Sequence, residues 1–96
     1  MSGSAAPVRV HLPPLLAPVT GGARMLEAEG ATIRAVLDDL AARHPALALH
    51  LFDEGGAVRR NIICIYKDAV VRAGEIGDQP VAPGEEIVLS NALAGG

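Results

Sequence analysis

The sequence predicts an α+β domain in which one main helix crosses one face of a mixed sheet of four to five strands. Two stretches typical of strands precede a single long helical pattern, and three more follow it. In that order, the helix buries its apolar side against the sheet and creates the core. The 96 residues suffice for one domain. Half of them are apolar but only Phe52 and Tyr66 are aromatic, so the core consists of aliphatic side chains.

The first two strands form a hairpin with a long loop. Residues 1–6 are predicted to be a disordered leader, and residues 8–12 then alternate apolar and polar side chains, as a half-buried strand does. Pro13 and two further prolines end this strand, because proline has no amide hydrogen to donate. Residues 24–28 supply the second strand, and Gly30 ends it.

The main helix begins after Thr32, whose hydroxyl can accept a hydrogen bond from an amide of the first turn. Apolar side chains then recur at helical spacing: Ile33, Val36, Leu37, Leu40 and Ala41. Pro45 ends the helix near His44. Residues 46–52 are expected to add a short helical turn.

The remaining strands come from the C-terminal third of the chain. Residues 62–66 are mostly β-branched and do not alternate, which indicates an interior strand covered on both faces. Residues 70–72 form a short strand, and the glycines and prolines between 73 and 85 predict a loop without regular structure. Residues 86–89 form the last strand. Placed centrally in the sheet, this strand would project the end of the chain into solvent.

The sequence ends in two glycines, Gly95 and Gly96, and this predicts a reactive terminus. The α-carboxylate of Gly96 is ionised at neutral pH. Because neither residue has a Cβ, the backbone can pass through a narrow slot. Two terminal glycines arise by chance in about one of a hundred or two hundred chains. A frayed end and a sequence cut after Gly96 are the simpler explanations.

Composition and charge argue against several classes of protein. The net charge is −3 and the longest basic run is Arg59–Arg60, so we expect no face for nucleic-acid phosphates. No segment approaches the roughly 20 apolar residues that span a membrane, and residues 1–7 lack the pattern of a signal peptide. A single cysteine allows no intramolecular disulfide. We therefore expect a cytoplasmic protein.

No set of residues suggests an enzyme, because no nucleophile, base and orienting group are visible together. Cys64 lies in an apolar run and is expected to be a small buried hydrophobe. The three histidines lack metal-ligand spacing, so we expect neither a metal site nor a bound cofactor. Glu85 and Glu86 are adjacent and point different ways on a strand, which favours solvated charges over a catalytic pair.

Several short motifs, in this order, resemble one known family. They are Val8–Pro13, Thr20–Gly22, Gly30–Arg34, Ala42–Pro45, Asp53–Gly56, Arg59–Arg60, Pro83–Ile87 and Ala92–Gly96. The chain resembles the ThiS/MoaD family of ubiquitin-like sulfur carriers, and is most similar to its CysO-like branch. The resemblance implies a β-grasp domain over residues 7–92, followed by a flexible C-terminal tail over residues 93–96.

The resemblance also implies that the chain is a sulfur carrier and not itself an enzyme. A ubiquitin-activating-like adenylyltransferase, with or without a rhodanese domain, would adenylate Gly96 with ATP and Mg²⁺ bound in its own site. A sulfur donor would then convert Gly96 to a thiocarboxylate. A sulfur-accepting biosynthetic enzyme would take the sulfur for cysteine or another metabolite. Gly95 would serve as a slender neck, and Leu93 and Ala94 as the recognised part of the tail.

Three residues are candidates for the surface that meets these partners: Leu89, Ala92 and Arg72. Burial of Leu89 in the core is the alternative for that residue. The carrier is expected to be a monomer. Three other functions stay open, namely a ubiquitin-like modifier joined through Gly96 to lysines, the small subunit of a molybdopterin synthase, and an interaction module whose tail is inert.

Overall fold

Five strands form one mixed sheet in the computed structural model, which describes residues 6–91. The strands are β1 (Val8–His11), β2 (Met25–Ala28), β3 (Ile62–Tyr66), β4 (Ala69–Arg72) and β5 (Glu86–Asn91). Their order across the sheet is β2-β1-β5-β3-β4. Strands β1 and β5 run parallel and every other neighbouring pair is antiparallel. The last strand therefore lies centrally, and the predicted α+β class is confirmed.

Two helices, α1 (Ile33–Arg43) and α2 (Pro45–Leu51), pack against one face of the sheet. Helix α1 begins as predicted, because the Thr32 hydroxyl accepts a hydrogen bond from the amide of Ala35 at 3.1 Å. Pro45 takes the first position of α2, where its fixed φ and missing amide hydrogen are tolerated. The chain therefore passes from one helix to the other at His44.

The core lies between the helices and the covered face of the sheet. Apart from Cys64, its fully buried side chains are aliphatic, and the helices contribute Ile33, Val36, Leu37, Leu40, Leu47 and Leu51. Among the described residues no polar or charged side chain is buried. Burial of one such leucine or isoleucine contributes roughly 1.5–3 kcal/mol to folding. The regular spacing of these residues in the sequence is thus explained by a single apolar layer.

Strand β3 is interior, but the prediction that both of its faces are covered was wrong. Ile62, Cys64 and Tyr66 are buried beneath the helices, whereas Ile65 is 36% exposed on the opposite face. Both helices pack on the same side of the sheet, so nothing among residues 6–91 covers the other side. β-Branched residues fit a pleated strand whether one face or both are buried, and their enrichment could not decide between the two.

The stretch between 73 and 85 is also more regular than predicted. Ala73–Asp78 form a short 3-10 helix, and its Ile76 is fully buried. A second 3-10 helix, Pro14–Thr20, follows β1 and buries Leu16. Short 3-10 helices tolerate glycine and proline better than long α-helices do, so the breakers in these stretches limited helix length without preventing it.

A two-residue turn, Lys67–Asp68, joins β3 to β4. Both residues have positive φ, at 51° and 66°, although neither is glycine. Such left-handed pairs give the twist that a tight antiparallel hairpin needs. The side chain of Lys67 is engaged elsewhere, because its Nζ lies 3.0 Å from a carboxylate oxygen of Glu85.

Candidate functional site

The five residues predicted to carry or flank the reactive tail, Ala92, Leu93, Ala94, Gly95 and Gly96, lie outside the described residues. The structure does describe their attachment point. Strand β5 ends at Asn91, which is paired with Ile62, and Ser90 is paired with Ile63. The segment that leads to the tail therefore continues the central strand of the sheet and stays paired with β3 up to Asn91, whereas the pairing of β5 with β1 ends at Val88.

The side chains of β5 alternate between the core and the open face of the sheet. Ile87 is fully buried and Leu89 is 2% exposed, so both pack beneath the helices. Val88, between them, is 41% exposed on the open face. The side chain of Leu89 therefore belongs to the core and does not contribute to a docking surface. Val88 takes the exposed position that was expected of Leu89.

A row of side chains crosses the open face through all five strands. Its members are in register from strand to strand: Met25, His11, Val88, Ile65 and Val70. The four apolar members are 40%, 41%, 36% and 54% exposed for Met25, Val88, Ile65 and Val70. We call these five residues the cross-strand row. Contiguous exposed apolar side chains of this kind are typical of interaction surfaces.

Arg72 lies on the rim of the same face. It occupies the end of the edge strand β4, is exposed, and is in register with Ile63. Its position two residues after Val70 places both side chains on one side of the strand. Of the three residues expected to form the interface, Arg72 is therefore the one that the structure places beside the cross-strand row.

A charged cluster interrupts the row at His11. The Nε2 of His11 lies 2.6 Å from Oε1 of Glu86, and Nη2 of Arg9 lies 3.0 Å from Oε2 of the same carboxylate. The contact with His11, followed by that with Arg9, holds the pKa of Glu86 below its usual range. Glu86 is thus ionised on the open face, where it pairs with Arg9 and contacts the ring nitrogen of His11.

An open groove of about 610 Å³ lies between the end of β1 and the end of β5. Its walls include His11, Pro13, Arg24, Val88 and Ser90. Ser90 is one residue before the last described position, so the groove opens directly beside the base of the tail. It is the feature of residues 6–91 that lies nearest in sequence to the predicted reactive end.

The other end of β5 is fixed by a second polar cluster around Glu85. Its carboxylate accepts a hydrogen bond from the Tyr66 hydroxyl and one from the amide of Ala82 at 2.8 Å, and it pairs with Lys67. The Tyr66 hydroxyl and then the Ala82 amide are the main causes that lower the pKa of Glu85 to about 2. Neither glutamate is a merely solvated charge, which corrects that expectation. Glu85 positions the start of β5 and contacts no reactive group.

The described part of the chain has neither a reactive cysteine nor a cluster of metal ligands. Cys64 is buried in the core, and burial raises the pKa of its thiol to about 12. It is therefore protonated and inaccessible, as an inert core cysteine is. No group of three potential metal ligands comes together among residues 6–91. No helix within that range is long and apolar enough to cross a membrane.

Comparison with known families decides the relationship. The sequence pattern of the ThiS family matches residues 10–96, from the second half of β1 through β5 to the glycine end. The chain belongs to the ThiS family. The sulfur carrier protein CysO of Mycobacterium tuberculosis is 32% identical over 91 residues, which cover 93% of this chain and 98% of that protein. The same figures hold for CysO of Mycobacterium bovis.

Solved structures of similar proteins have the same fold. In the complex of BexX and CysO from Amycolatopsis orientalis, the matching chain has a TM-score of 0.77 and 33% identity, over 93% of this chain and 99% of that one. Small archaeal modifier protein 1 from Haloferax volcanii has a TM-score of 0.77 and 26% identity, over 95% of this chain and 100% of that one. These are ubiquitin-like β-grasp proteins, and the predicted β-grasp fold of this ThiS family member is confirmed.

Proposed function

We propose that this chain is a sulfur carrier in which Gly96 holds the sulfur as a thiocarboxylate. The observation that carries the proposal is the match to CysO sulfur carriers along nearly the whole length of both chains. The fold supports it, because a central strand with partners on both sides leads directly into the glycine end. A carrier needs a rigid body and a slender reactive end, and this arrangement supplies the rigid body.

The proposed chemistry takes place in a partner enzyme. A carboxylate oxygen of Gly96 attacks the α-phosphate of ATP, the bond to the β-phosphate oxygen breaks, and pyrophosphate leaves. Hydrosulfide then attacks the acyl carbon and AMP leaves, so that one oxygen of Gly96 is replaced by sulfur. With a persulfide as the donor, the first product is an acyl disulfide, which a thiol reduces to the thiocarboxylate. ATP and Mg²⁺ belong to the partner, where the cation neutralises the phosphates.

The cross-strand row is the proposed docking surface for the adenylyltransferase and for the sulfur-accepting enzyme. Val88 and Ile65 lie at its centre, where they are in register on the neighbouring strands β5 and β3. Exposed apolar side chains at the centre of such a face, with Arg72 at the rim, match the anatomy of protein interfaces. The likeness to CysO favours cysteine biosynthesis as the pathway that receives the sulfur.

The same adenylated Gly96 could instead be joined to a lysine of another protein. The likeness to small archaeal modifier protein 1 favours this second candidate, at 26% identity. The two functions share the activation step and differ in the group that attacks the acyl carbon, which is sulfur in one and an amine in the other. The small subunit of a molybdopterin synthase would be a further carrier role, recognisable by a lasting complex with a large subunit.

Intact-mass spectrometry tests the proposal. The protein is incubated with an adenylyltransferase of the ThiS-activating type, ATP, Mg²⁺ and a sulfide source. The expected product is heavier by the difference between one sulfur and one oxygen, and fragmentation locates the change at Gly96. The matched control is the same chain without Gly95 and Gly96, which should stay unchanged in mass while its thermal unfolding is unaffected.

Two other results have distinct meanings. A mass that corresponds to attachment of the carrier to lysines, with no sulfur gained, would favour the modifier. An unchanged mass with several such enzymes would contradict both candidates, and the interaction module with an inert tail would take their place.

A further inference from the structure

A second cavity lies beside helix α1 and shares no residue with the open groove at β5. Its volume is about 370 Å³, and its walls are Arg34, Ala57, Val58, Arg60, Ala73, Gly74 and Gly77. Small-molecule sites range over roughly 300–1,000 Å³. We propose that this cavity binds the phosphate group of a small molecule between Arg34 and Arg60. Such binding goes beyond sulfur carriage and does not depend on Gly96.

Three sequence motifs that sulfur carriage does not use meet at this cavity. Arg34 is the last residue of the motif Gly30–Arg34, and Ala57 directly follows the motif Asp53–Gly56. Arg59–Arg60 supplies the second arginine. The first motif leads into α1, whereas the other two lie between α2 and β3. The fold therefore brings together at one place residues that the sequence shows only as separate motifs.

The guanidinium group of Arg34 is held in place by its surroundings. Its Nε donates a hydrogen bond to Oδ1 of Asp38 at 3.1 Å, and its Nη2 donates one to the carbonyl oxygen of Gly56 at 2.6 Å. Its Cζ lies 4.6 Å from the centre of the Phe52 ring. The side chain therefore has little conformational freedom to lose when a ligand binds. Its Nη1 makes no hydrogen bond with any residue between 6 and 91, and it can donate to a ligand.

Arg60 adds a positive charge that no neighbour compensates. It is exposed and makes no ion pair within the described range. No acidic side chain lines the cavity, and the first turn of α1 contains none. Glu75 belongs to the same 3-10 helix as Gly74 and Gly77, but its carboxylate accepts a hydrogen bond from the amide of Arg72 at 3.2 Å. The cavity is therefore positively charged in a chain whose net charge is −3.

The positions of the donors favour a phosphate over a carboxylate. A carboxylate pairs best with two parallel donors of one guanidinium group. In Arg34 the Nε and Nη2 donors already have partners, so this side of the group cannot form such a pair. The Nη1 of Arg34 and the guanidinium group of Arg60 belong to different walls, and the tetrahedral oxygens of a phosphate can accept from both. A phosphate monoester carries a charge of about −1.5 to −2 at neutral pH, which matches two arginines.

Glycines leave room for the ligand and provide a way to test the site. A Cβ added at Gly74 or Gly77 would meet nothing within 4 Å. Neither glycine has a φ in the left-handed region, so a side chain can be introduced there without backbone strain. A charge can therefore be placed at the cavity without disturbing the core.

Titration of the full chain with inorganic phosphate at constant ionic strength, followed by amide NMR spectra, tests the proposal. We expect the signals of Ala57, Gly74 and Gly77 to shift and to saturate at millimolar phosphate, while that of Val88 on the open face stays in place. A parallel titration with glycerol 3-phosphate distinguishes the two sources of the group: equal affinity would identify free phosphate as sufficient, and higher affinity would identify a phosphate ester. Acetate is the carboxylate control and should cause no saturable shift.

Four variants, each checked by thermal unfolding, locate the site. Arg60→Gln should raise the dissociation constant of phosphate about tenfold, because a charge-assisted hydrogen bond is lost. Arg24→Gln removes a matched exposed arginine outside the cavity and should leave the constant unchanged. Gly77→Asp should abolish binding, because its carboxylate repels the phosphate. Gly77→Asn is the neutral control for that change and should still bind.

Three results would overturn the proposal. Shifts that increase without saturation would mean that phosphate only screens surface charge. Saturable binding of acetate with the same affinity would mean a carboxylate site, as for an acidic side chain of a protein partner. Equal losses in Arg24→Gln and Arg60→Gln would mean that binding follows net charge and not the cavity. The mass measurement on Gly96 does not involve this cavity, so a failure here leaves the sulfur-carrier proposal standing.

Discussion

Glu86 and His11 face each other on the open side of the sheet, with 2.6 Å between Oε1 and Nε2, although 75 residues separate them in sequence. Their contact joins the first strand to the last and places a polar pair within a row of exposed apolar side chains. A partner that docks on this row has to bury apolar surface on both sides of a charged cluster. Its matching surface should therefore be apolar with a polar group opposite His11.

We predict that Val88→Asp lowers the rate of adenylation by a partner enzyme about tenfold or more, because a charge at the centre of an apolar interface costs upwards of about 1.4 kcal/mol of binding. The measurement is the rate of pyrophosphate release at limiting carrier concentration. Leu49→Asp is the matched control, since Leu49 is 74% exposed on α2, away from the open face. Equal losses in both variants would argue against docking through the row.

Glu85→Gln should make folding stability less dependent on pH. The pKa of Glu85 in the folded protein, about 2, lies below its ordinary value of 4.5. The folded state therefore binds this proton less tightly than the unfolded state, and the stabilisation by Glu85 is complete above about 4.5 and is lost as the pH falls towards about 2. The variant should be less stable than the native protein at neutral pH. The difference between their free energies of unfolding should become smaller in acid.

Urea unfolding at neutral pH and at several acidic pH values measures this gap. Glu54→Gln is the control, because Glu54 is exposed in a turn and makes no ion pair with any residue of the described range. A constant gap between native protein and Glu85→Gln across the acidic range would contradict the role assigned to this carboxylate.

Gly30→Ala should destabilise the fold by about 2–3 kcal/mol, as overpacking of a filled site does. A Cβ at Gly30 would lie 2.6 Å from the amide nitrogen of Val36 and 2.7 Å from the carbonyl carbon of Ala35, both in the first turn of α1. Gly74→Ala is the control, since a Cβ there meets nothing within 4 Å. Thermal unfolding of the two variants, measured in parallel, gives the difference; equal midpoints would be incompatible with the close approach.

Asp68→Gly should stabilise the protein by about 0.5–1 kcal/mol. Asp68 adopts a φ of 66°. This left-handed conformation costs conformational energy for a residue with a Cβ, whereas glycine adopts it without steric strain. The change leaves the ion pair of Lys67 with Glu85 in place. A denaturation midpoint at or below that of the native protein would show that the greater freedom of glycine in the unfolded chain outweighs the relief.

Much of this architecture could be predicted because it follows from local rules. The Thr32 cap, the spacing of apolar residues in α1 and the stop at Pro45 each depend on neighbours within one or two helical turns. The central place of β5 was expected from the resemblance to a β-grasp family, since the order of elements alone does not determine it. The orientation of β5 could not be predicted in the same way, because Ile87, Val88 and Leu89 are all apolar and a period of two has no phase in such a run.

The contacts on the open face could not be predicted from the sequence, for a different reason. The approach of His11 to Glu86 depends on the parallel register of β1 and β5, in which His11 pairs with Val88. That register is set by the whole core and not by any motif. The groove beside Ser90 arises in the same way, since its walls come from β1, the prolines after it, the residue before β2, and strands β3 and β5. Arg24 had no signal in the sequence that marked it as part of a groove.

The central place of β5 has a consequence for biosynthesis. A ribosome releases β1, β2 and both helices well before it has made the strand that fills the gap between β1 and β3. The sheet cannot close around that gap until Asn91 has left the exit tunnel, so the hydrophobic layer stays incomplete during translation. A chain cut short before β5 would remain unfolded and open to proteases. Only molecules that carry β5, the strand to which the tail is attached, would then fold and escape proteolysis.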